Sequence, residues 1–430
     1  MAYLRGYELL MVFVLMVYVP VTIAKTSGDA KSLLTKLFTT DGYNKAVRPT
    51  FDQSLPVNVS IGFFLTSIID FDSQKEKLTT SGYLTITWND CYLQWNPSDY
   101  NGTSVLFIYQ DNMWKPDIAL QNGVSEFKGL GSSDLLITAS NDGTVAWWPY
   151  AILQSTCKVD ITYFPFDIQT CSLKFTAWSY FKTEVQLTDG SVGVTLTQYE
   201  ENSAWTVVSS YVDTLQQSSD ATVVFTMKLK RKPLFFLLNV IVPVIMLSIM
   251  NACVFVLPAK SDEKASFSVT VFLSLAVFLT IVTSTLPQNS DKVSFLGIYL
   301  VIMAGLSTLT VILTLFQLRL NSRDENRDPI PLWLIKLHKI VHRLRFKPRA
   351  SAEAQHRVLT SDSECKDSMD EKTVESTKSK EQLSSEAGTN SVVTWNNVCN
   401  SLDFVFFWIY FVAVLTITVT VLSIMSNGAG

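Results

Sequence analysis

Four long apolar stretches follow residue 232, and no other feature constrains the fold of this chain as strongly. Each is long enough for a helix that spans the hydrocarbon core of a bilayer, where only helices and closed barrels satisfy their own backbone groups. Three stretches lie within 233–318, and the fourth covers 402–425. The sequence therefore predicts an all-α domain of four transmembrane helices.

The N-terminus indicates on which side of the membrane the chain begins. Residues 1–24 combine Arg5, an apolar run and a cleavage site at Ala24, which is typical of a secretory signal peptide. A first membrane anchor is the alternative, but the apolar run is short for a span. With cleavage, four spans leave both ends of the mature chain outside the cell, including a tail at 426–430.

Residues 319–401 are predicted to form a cytoplasmic connection between the third and fourth spans. Nine basic residues lie between Arg319 and Arg349, as the positive-inside rule expects. An apolar helical face there predicts an amphipathic helix on the inner membrane surface, with docking to a partner as the alternative. That face consists of Trp333, Leu337, Ile340, Val341 and Leu344. Residues 351–390 are predicted to be disordered, because they are rich in Ser, Glu and Lys.

Residues 25–232 alternate apolar and polar side chains over short runs, which predicts an extracellular β-sandwich. The runs are PVNVSIGFFL, KLTTSGYLTITW, SDLLITA, KVDITYF, CSLKFTAW and TVVFTMKLK, with turn-rich segments such as SNDG between strands. One short helix is expected at Lys31–Phe38. The predicted fold class is an all-β, immunoglobulin-like sandwich followed by the four-helix domain.

Cysteines and asparagines in this region fit an extracellular location. Cys157 and Cys171 bracket thirteen residues, and pairing them leaves Cys91 free, which we expect to be buried. A closed ring of this size contributes roughly 3 kcal/mol in the chain-entropy model. Asn58 and Asn101 each begin a motif for N-glycosylation.

The second span is the least hydrophobic of the four and the most strongly patterned. One helical face, built at steps of three and four residues, is polar at its ends and apolar in its middle. It consists of Glu263, Ser266, Thr270, Leu273, Val277, Thr280 and Ser284. A bundle of such helices would enclose an aqueous pore, in which Leu273 and Val277 form a hydrophobic constriction.

Glu263 is predicted to lie at the cytoplasmic mouth of this pore. Repeated around a symmetric ring, its carboxylate attracts cations and repels anions. Lys264 comes next in the chain, but neighbours on a helix point about 100° apart, so it need not face the lumen. The alternative is a solvated turn that caps the helix; the patterned span beside it favours a selectivity ring.

Composition argues against several other classes of protein. The net charge of -4 gives no basis for binding nucleic acid. All three histidines fall in the cytoplasmic connection, and no nucleophile motif, metal-ligand spacing or phosphate loop indicates an enzyme. We therefore expect no catalytic activity, no metal and no cofactor. A transporter would need more spans and internal repeats.

These motifs together resemble the Cys-loop family of pentameric ligand-gated ion channels, most closely its nicotinic acetylcholine receptor branch. Cys157-x13-Cys171 with the enclosed FPFD matches the family signature, and WKPD, Trp88-x6-Trp95 and DEKASFSVTVFLSLAVFL match nicotinic patterns. The resemblance implies a cation-selective channel subunit in a homo- or heteropentamer of the plasma membrane. A small-molecule agonist of unknown identity, permeant cations, membrane lipids and identical or related subunits are its implied partners. A binding or assembly subunit that needs partner subunits for current is the alternative.

The resemblance also implies a ligand site, in which aromatic rings hold an ammonium group by cation–π attraction. The positions carried over are Trp178, Tyr83, Trp148, Tyr211, Gln121 and Tyr180. Trp147 is the alternative to Trp148, because strand alternation lets only one of them point inward. The segment between Trp205 and Phe225 is shorter than in nicotinic receptors and has no vicinal cysteines, which leaves the agonist open.

Finally, the resemblance implies that the Cys157–Cys171 ring is a rigid finger that couples ligand binding to the pore. Its tip is expected to press on the linker after the second span. The implied coupling residues are Phe164, Pro165, Phe166, Asp167, Arg231, Pro287 and Asp72. Ser73 occupies the place of the usual acidic partner of Arg231, and Asp72 and Asp167 are the two candidate substitutes.

Overall fold

The computed structural model describes residues 26–126, 129–216, 221–258, 263–285, 292–323, 329–345 and 393–428. The signal peptide expected at 1–24, Pro287 and the disordered segment expected at 351–390 lie outside these ranges. The chain divides into two compact units, described here separately. The first holds Met1–Phe236, Ser284–Ser294 and Met425–Gly430, and the second holds Leu237–Thr283 and Phe295–Ile424.

The first unit is a β-sandwich, as predicted. Its described strands are β1 (Val57–Asp72), β2 (Lys77–Gln94), β3 (Val105–Tyr109), β4 (Ile118–Leu120), β5 (Leu136–Ser140), β6 (Asp142–Trp147), β7 (Tyr150–Thr156), β8 (Ile168–Ala177), β9 (Val185–Thr195), β10 (Trp205–Gln216) and β11 (Ala221–Arg231). One sheet has the order β3-β5-β6-β2-β1-β9, with β7 also paired to β2, and the other has the order β10-β11-β8-β4. β1 runs antiparallel to β2 and parallel to β9.

Alternating side chains build the core between the two sheets. Phe63 of β1 lies 6.3 Å from Phe175 of β8 and 5.9 Å from Phe225 of β11, measured between ring centroids. All three rings are fully buried. Aromatic pairs at such separations stabilise a core beyond the area they bury, so this cluster joins one sheet to the other.

One local prediction in this unit is wrong, and one predicted helix has a different start. The run KVDITYF forms no strand, because the chain between Cys157 and β8 turns back on itself around Pro165, which has no N–H to give to a ladder. The N-terminal helix α1 (Ser27–Thr35) begins earlier than expected and continues as a π turn to Thr40. Thr26 and Asp29 form a capping box, which fixes the start of α1.

Four helices among the described residues are long and apolar enough to cross a membrane. They are α2 (Leu234–Val256), α3 (Glu263–Thr285), α4 (Phe295–Asn321) and α6 (Trp395–Asn427), with the shorter α5 (Leu332–Arg345) before the last of them. α2 contains a π turn at Leu237–Ile241. Pro243, which follows that turn, cannot donate a helical hydrogen bond, and this accounts for the change in winding.

The end of α4, α5 and the start of α6 share a small core. Its buried members are Leu320, Leu334, Trp395, Val398, Cys399 and Leu402. α6 therefore begins at Trp395, before the predicted start of the fourth span, because its first turns pack against protein. The apolar face predicted for α5 is divided: Val341 is buried, whereas Trp333, Ile340 and Leu344 are exposed. A position on the inner membrane surface stays a prediction for this helix.

Candidate functional site

Arg231, the last residue of β11, has a buried carboxylate as its partner. Its Nε and Nη2 donate to the two carboxylate oxygens of Asp167 at 2.8 and 3.1 Å, and Nη2 also donates to the Ser73 hydroxyl at 3.2 Å. The side chains of Arg231 and Asp167 are only 7% and 2% exposed. Bidentate pairs of this kind are both strong and directional, so Arg231 is held in one orientation.

Three aromatic rings surround the same guanidinium. Its central carbon lies 4.2 Å from the ring centre of Trp205, 4.9 Å from that of Phe164 and 5.5 Å from that of Phe236. Aromatic faces attract cations at these distances. The rings therefore offset part of the cost of removing this charge from water.

The geometry distinguishes between the two acidic residues considered for Arg231. Asp72 is not its partner: Asp72 pairs with Lys75 at 3.3 Å and accepts a hydrogen bond from the backbone N–H of Gln74. Asp167 immediately precedes β8, which pairs with β11, so the fold itself brings it beside Arg231. The backbone N–H of Arg231 also donates to the Asp167 carbonyl oxygen at 3.2 Å.

Cys157 and Cys171 form the expected disulfide, with Cα atoms 5.1 Å apart. Within the closed ring, Phe164 and Pro165 are buried, Phe166 is half-buried, and the peptide bond between Phe164 and Pro165 is cis. The centre of the ring therefore packs into its own unit instead of projecting into solvent.

Gln169 stabilises the ring by hydrogen bonds to two of its other residues. Its amide nitrogen donates to the Asp160 carbonyl oxygen at 2.8 Å and to the Asp167 carboxylate at 2.5 Å, while its amide oxygen accepts from the Asp160 backbone N–H at 2.9 Å. Gln169 itself is buried. Its hydrogen bonds fix the position of Asp167, and thereby the orientation of Arg231. Sequence reasoning did not single out Gln169.

The same ring carries an exposed ion pair. The Asp160 carboxylate pairs with the ammonium group of Lys292, which follows α3 and belongs to the same compact unit. Burial alone would raise the pKa of Asp160, but the hydrogen bonds from Lys292 and Thr162 outweigh it, so this pKa lies below its usual value. Gln74, in the turn after β1, likewise contacts the carbonyl oxygen of Ser284. The predicted contact at Pro287 lies outside the described residues.

Two of the six candidate ligand residues line one cavity in the sandwich. Trp178, which is 62% exposed, follows β8, and Gln121 follows β4. The cavity has a volume of about 470 Å³, and Tyr150 and Glu126 also line it. Sequence reasoning missed both of these residues. Tyr150 could have been found from the segment WWPY. Pro149 lies between the end of β6 and the start of β7, so the alternation of inward and outward side chains begins again at Tyr150.

Strand alternation separates the two neighbouring tryptophans. Trp147 is buried, and its Nε1 donates to Oε1 of Gln110 at 3.1 Å. Trp148 is 49% exposed. Of the two, Trp148 is thus the side chain that a ligand can reach.

The other three candidate ligand residues lie outside this cavity lining. Tyr83 stacks on Phe64 with ring centroids 4.7 Å apart. The hydroxyl of Tyr180 accepts a hydrogen bond from Nε1 of Trp114 at 3.3 Å. Tyr211 is 47% exposed on β10. A single chain therefore does not bring all six candidates together.

The side chains of α3 divide into an exposed side and a buried side. All seven candidate pore positions are exposed, with Leu273 at 60% and Val277 at 53%. The opposite face is buried and consists of Lys264, Ser268, Val271, Leu275 and Val282. The exposed side is wider than predicted, since it also includes Val269, Ser274, Ile281 and Thr283.

Lys264 has a buried anionic partner in the second unit. Its side chain is 0% exposed, and its Nζ donates to Oδ1 of Asp403 on α6 at 2.5 Å. Glu263, one residue earlier, is exposed. The two adjacent charges at the start of α3 therefore point in different directions, about 100° apart around the helix, one to the outside and one into the protein.

Both candidate glycosylation sites are on the surface. Asn58 is exposed on β1, and Asn101 is exposed in a left-handed backbone conformation with φ 49°. The side-chain amide of Asn101 donates to the carboxylate of Asp29 at 2.9 Å. Cys91, expected to be buried, is half-buried and has a free thiol.

Comparison with known proteins shows which family this chain belongs to. The family model described as neurotransmitter-gated ion-channel ligand binding domain matches residues 30–233, and the one described as neurotransmitter-gated ion-channel transmembrane region matches residues 240–390. The boundary between the two matches falls at the end of β11, where the sandwich gives way to α2.

Curated relatives are subunits of neuronal acetylcholine receptors. The chain is 31% identical to subunit alpha-3 of Bos taurus over 338 residues, which is 77% of this chain and 68% of the relative. It is 34% identical to subunit alpha-6 of Mus musculus, over 68% of this chain and 60% of the relative. It is 32% identical to subunit alpha-3 of Homo sapiens, over 73% of this chain and 62% of the relative. Two of these three matches therefore span less than two thirds of the relative's length.

The family is one of ligand-gated ion channels and not of enzymes. The four apolar helices fit a multi-pass protein of the plasma membrane. On its sandwich, its disulfide-closed ring, its four apolar helices and these matches, the chain belongs to the neurotransmitter-gated, or Cys-loop, ion-channel family, in its nicotinic receptor-like branch.

Proposed function

We propose that this chain is a subunit of a pentameric, cation-selective channel that an extracellular small molecule opens. One observation carries the proposal: the seven candidate pore positions of α3 are exposed, while the opposite face of the helix is buried among the chain's own helices. Five copies around an axis would turn the exposed face toward a shared lumen, with hydroxyl groups near its ends and Leu273 and Val277 between them.

The proposed topology follows the sequence-based boundaries. After removal of 1–24, residues 25–232 form the extracellular sandwich, 233–318 and 402–425 cross the membrane, and 319–401 lie in the cytoplasm. The disulfide supports an extracellular sandwich, because such bonds persist in oxidising compartments. Both ends of the mature chain, including 426–430, then lie outside the cell.

Cation selectivity is assigned to Glu263. Its carboxylate is exposed at the first residue of α3, whereas the neighbouring ammonium group of Lys264 is buried against Asp403. Five copies of Glu263 would form a ring of negative charge at the cytoplasmic mouth. Such a ring raises the local concentration of cations and lowers that of anions.

Coupling is assigned to the ring closed by Cys157 and Cys171. On one side it holds Arg231 at the end of β11, and on the other it pairs Asp160 with Lys292 after α3. These contacts give a movement of the sandwich strands a physical route to the ends of two membrane helices. Phe164, Pro165 and Phe166 serve as the rigid centre of the ring.

The agonist is assigned to aromatic positions that face neighbouring subunits. Trp178, Trp148 and Tyr211 are each about half exposed or more, so their rings can contact a neighbouring subunit. Pairing Trp178 of one subunit with Trp148 of the next would recreate an aromatic cage for an ammonium group. Tyr83, Tyr180 and Gln121 complete the proposed set, and the identity of the agonist stays open.

A second candidate function is that of a binding or assembly subunit that passes current only with partner subunits. The segment between Trp205 and Phe225 favours it, because Tyr211 is its one aromatic residue. A lid with so few rings closes poorly over a cationic ligand.

Current recordings from cells that express this chain alone distinguish the two functions. Cationic amines, amino acids, pH steps and small amphiphiles are applied in turn, and extracellular sodium is then replaced by an impermeant cation. A ligand-evoked current whose reversal potential follows sodium is the expected result. Silence despite confirmed pentamers on the surface would favour the partner-dependent subunit.

Glu263→Gln is expected to lower single-channel cation conductance by about twofold or more, because five unit charges leave the pore mouth. The measurement is the current–voltage relation of single channels in symmetric sodium chloride. Asp213→Asn serves as the control, since it removes an equal charge from an exposed position of β10. Unchanged conductance and selectivity in Glu263→Gln would contradict the pore assignment.

Leu273→Thr is expected to ease opening, because a hydroxyl favours water in the constriction that closes by dewetting. We expect spontaneous sodium current, and a half-maximal agonist concentration lower by about tenfold, which corresponds to about 1.4 kcal/mol. Leu309→Thr is the matched control, since Leu309 is 50% exposed on α4. A Leu273→Thr channel that opens no more easily than the unmodified one would place the gate elsewhere.

A further inference from the structure

We propose that Asp403 on α6 is a positioning residue for the charge selectivity of the pore, because it keeps the ammonium group of Lys264 out of the conduction pathway. This inference rests on the proposed cation channel and assigns a role in it to a helix that does not line the pore. Asp403 acts through Lys264, and Lys264 in turn fixes which side of α3 faces outward.

The two side chains form one buried ion pair within the second unit. Nζ of Lys264 lies 2.5 Å from Oδ1 of Asp403, and the side chains are 0% and 7% exposed. They are separated by 139 positions in the sequence, so the contact is purely tertiary. Gln317 of α4, also fully buried, lies beside the same carboxylate.

Burial of both charges makes the pair sensitive to the loss of either partner. Removing one member of a buried pair leaves the other as an uncompensated charge in a medium of low dielectric constant, which is far more costly than losing a surface pair. Replacing both members by neutral groups avoids that cost. The single and double variants are therefore expected to behave differently.

Because Lys264 lies on one side of α3, its ion pair with Asp403 restricts the rotation of α3 about its own axis. Residues of α3 that share the side of Lys264 are Ser268, Val271, Leu275 and Val282, all of them buried. Glu263 is one position away, about 100° around the helix, and is exposed. An ion pair at the first turn thus sets the orientation at the end of the helix where the selectivity charge lies.

Without Asp403, the ammonium group of Lys264 would be an unpaired buried charge, so moving into water becomes favourable. Its four-carbon stem lets the ammonium group reach water while the methylenes stay on apolar surface. Glu263, the neighbour of Lys264 on the same turn, is exposed at the proposed pore mouth, so the ammonium group can reach water there. A positive charge placed there opposes the Glu263 ring and lowers the local concentration of cations.

The first arm of the test follows the position of Lys264 without using current. Full-length pentamers in lipid nanodiscs are treated with an amine-acetylating reagent, and peptides are analysed by mass spectrometry. Lys339, which is exposed on α5, reports on the reagent and should be acetylated in every sample. Lys264 is expected to stay unmodified in the original chain and to become acetylated in Asp403→Asn. A Lys264 that is equally protected in both chains overturns the inference.

The second arm measures single-channel conductance in symmetric sodium chloride. Asp403→Asn is expected to lower it by about twofold, and the double variant Lys264→Gln with Asp403→Asn to restore it, since the intruding charge is then gone. A fall in conductance that the double variant does not restore would mean that Asp403 acts in another way. If Asp403→Asn alone fails to reach the surface, recovery of surface pentamers in the double variant supports the inference, and no recovery overturns it.

Recordings of Glu263→Gln in parallel distinguish failure of the Glu263 selectivity ring from failure of the role assigned to Asp403. If Glu263→Gln lowers conductance while Asp403→Asn changes neither conductance nor acetylation, only the role of Asp403 fails. If Glu263→Gln has no effect, the proposed selectivity ring fails. The acetylation of Lys264 then still decides whether Asp403 holds that side chain inside the protein.

Discussion

Asp167→Asn is expected to destabilise the extracellular sandwich by about 3–5 kcal/mol, because it leaves the guanidinium of Arg231 buried without a counter-charge. For a unit of this size, that loss lowers the unfolding temperature by roughly 10 °C. The three rings around Arg231 cannot replace the lost carboxylate, since each cation–π contact contributes only about 0.5–2 kcal/mol. The measurement is thermal unfolding of purified protein together with its surface expression.

Asp72→Asn is the matched control for this prediction. It makes the same chemical change in a carboxylate whose partner, Lys75, is 76% exposed, so little change in stability is expected. A double variant, Asp167→Asn with Arg231→Gln, should recover part of the loss because no unpaired charge remains. Equal unfolding temperatures for Asp167→Asn and Asp72→Asn would contradict the assignment of Asp167 as the partner of Arg231.

The second large effect is expected from opening the disulfide ring. Cys157→Ser combined with Cys171→Ser removes a cross-link across a sequence separation of 14 and avoids an odd thiol. The chain-entropy model gives a loss of about 3 kcal/mol, which is a large fraction of the stability of a typical domain. We expect a strong fall in the number of pentamers on the cell surface, measured by surface labelling and native gel electrophoresis.

Cys91→Ser provides the control for that variant. Its thiol is free and half-buried, so its replacement tests the chemical change without opening a ring. Surface pentamers should be close to the level of the original chain. Normal surface pentamers in the double serine variant would show that Gln169 and the Arg231–Asp167 pair hold the ring together without the disulfide.

Sequence patterns with a fixed period predicted much of this molecule. Alternation over two residues located five of the eleven described strands, namely β1, β2, β5, β8 and β11, and long apolar runs located the four long helices. Each of these signals is local, because strand and helix geometry repeat over a few residues. They therefore did not depend on knowing which segments meet.

The failures came where a local pattern met a tertiary constraint. KVDITYF alternates like a strand, but the disulfide and the turn at Pro165 close it into a loop. The apolar face predicted for α5 left out Leu334, which is buried in the small core, and of its own members Val341 is buried whereas Trp333 and Ile340 are exposed. Periodicity gives a face, and only the neighbours of a helix decide which part of that face is covered.

Pairings between residues far apart in the chain could not be predicted from the sequence, because local patterns do not show which segments contact each other. Asp167 could not be chosen over Asp72 until the pairing of β8 with β11 placed it beside Arg231. The buried pair of Lys264 and Asp403 had no signal at all, since a single lysine and a single aspartate far apart in sequence match no motif. Of the residues that line the cavity beside Trp178, Tyr150 had a readable sequence signal, whereas Glu126 had none.

The small core shared by α4, α5 and α6 has a consequence for how this chain can be engineered. Leu334 and Val341 anchor α5, and Trp395 anchors the start of α6 in the same cluster as Leu334. The start of α5 and the start of α6 are therefore held at one place by packing, and Val341, near the end of α5, is also buried. The entropic cost of a longer connection grows only slowly with its length. The connection between Arg345 and Val393 is a natural position for a fluorescent reporter or an affinity tag, because the contacts of this core are made by residues outside the connection.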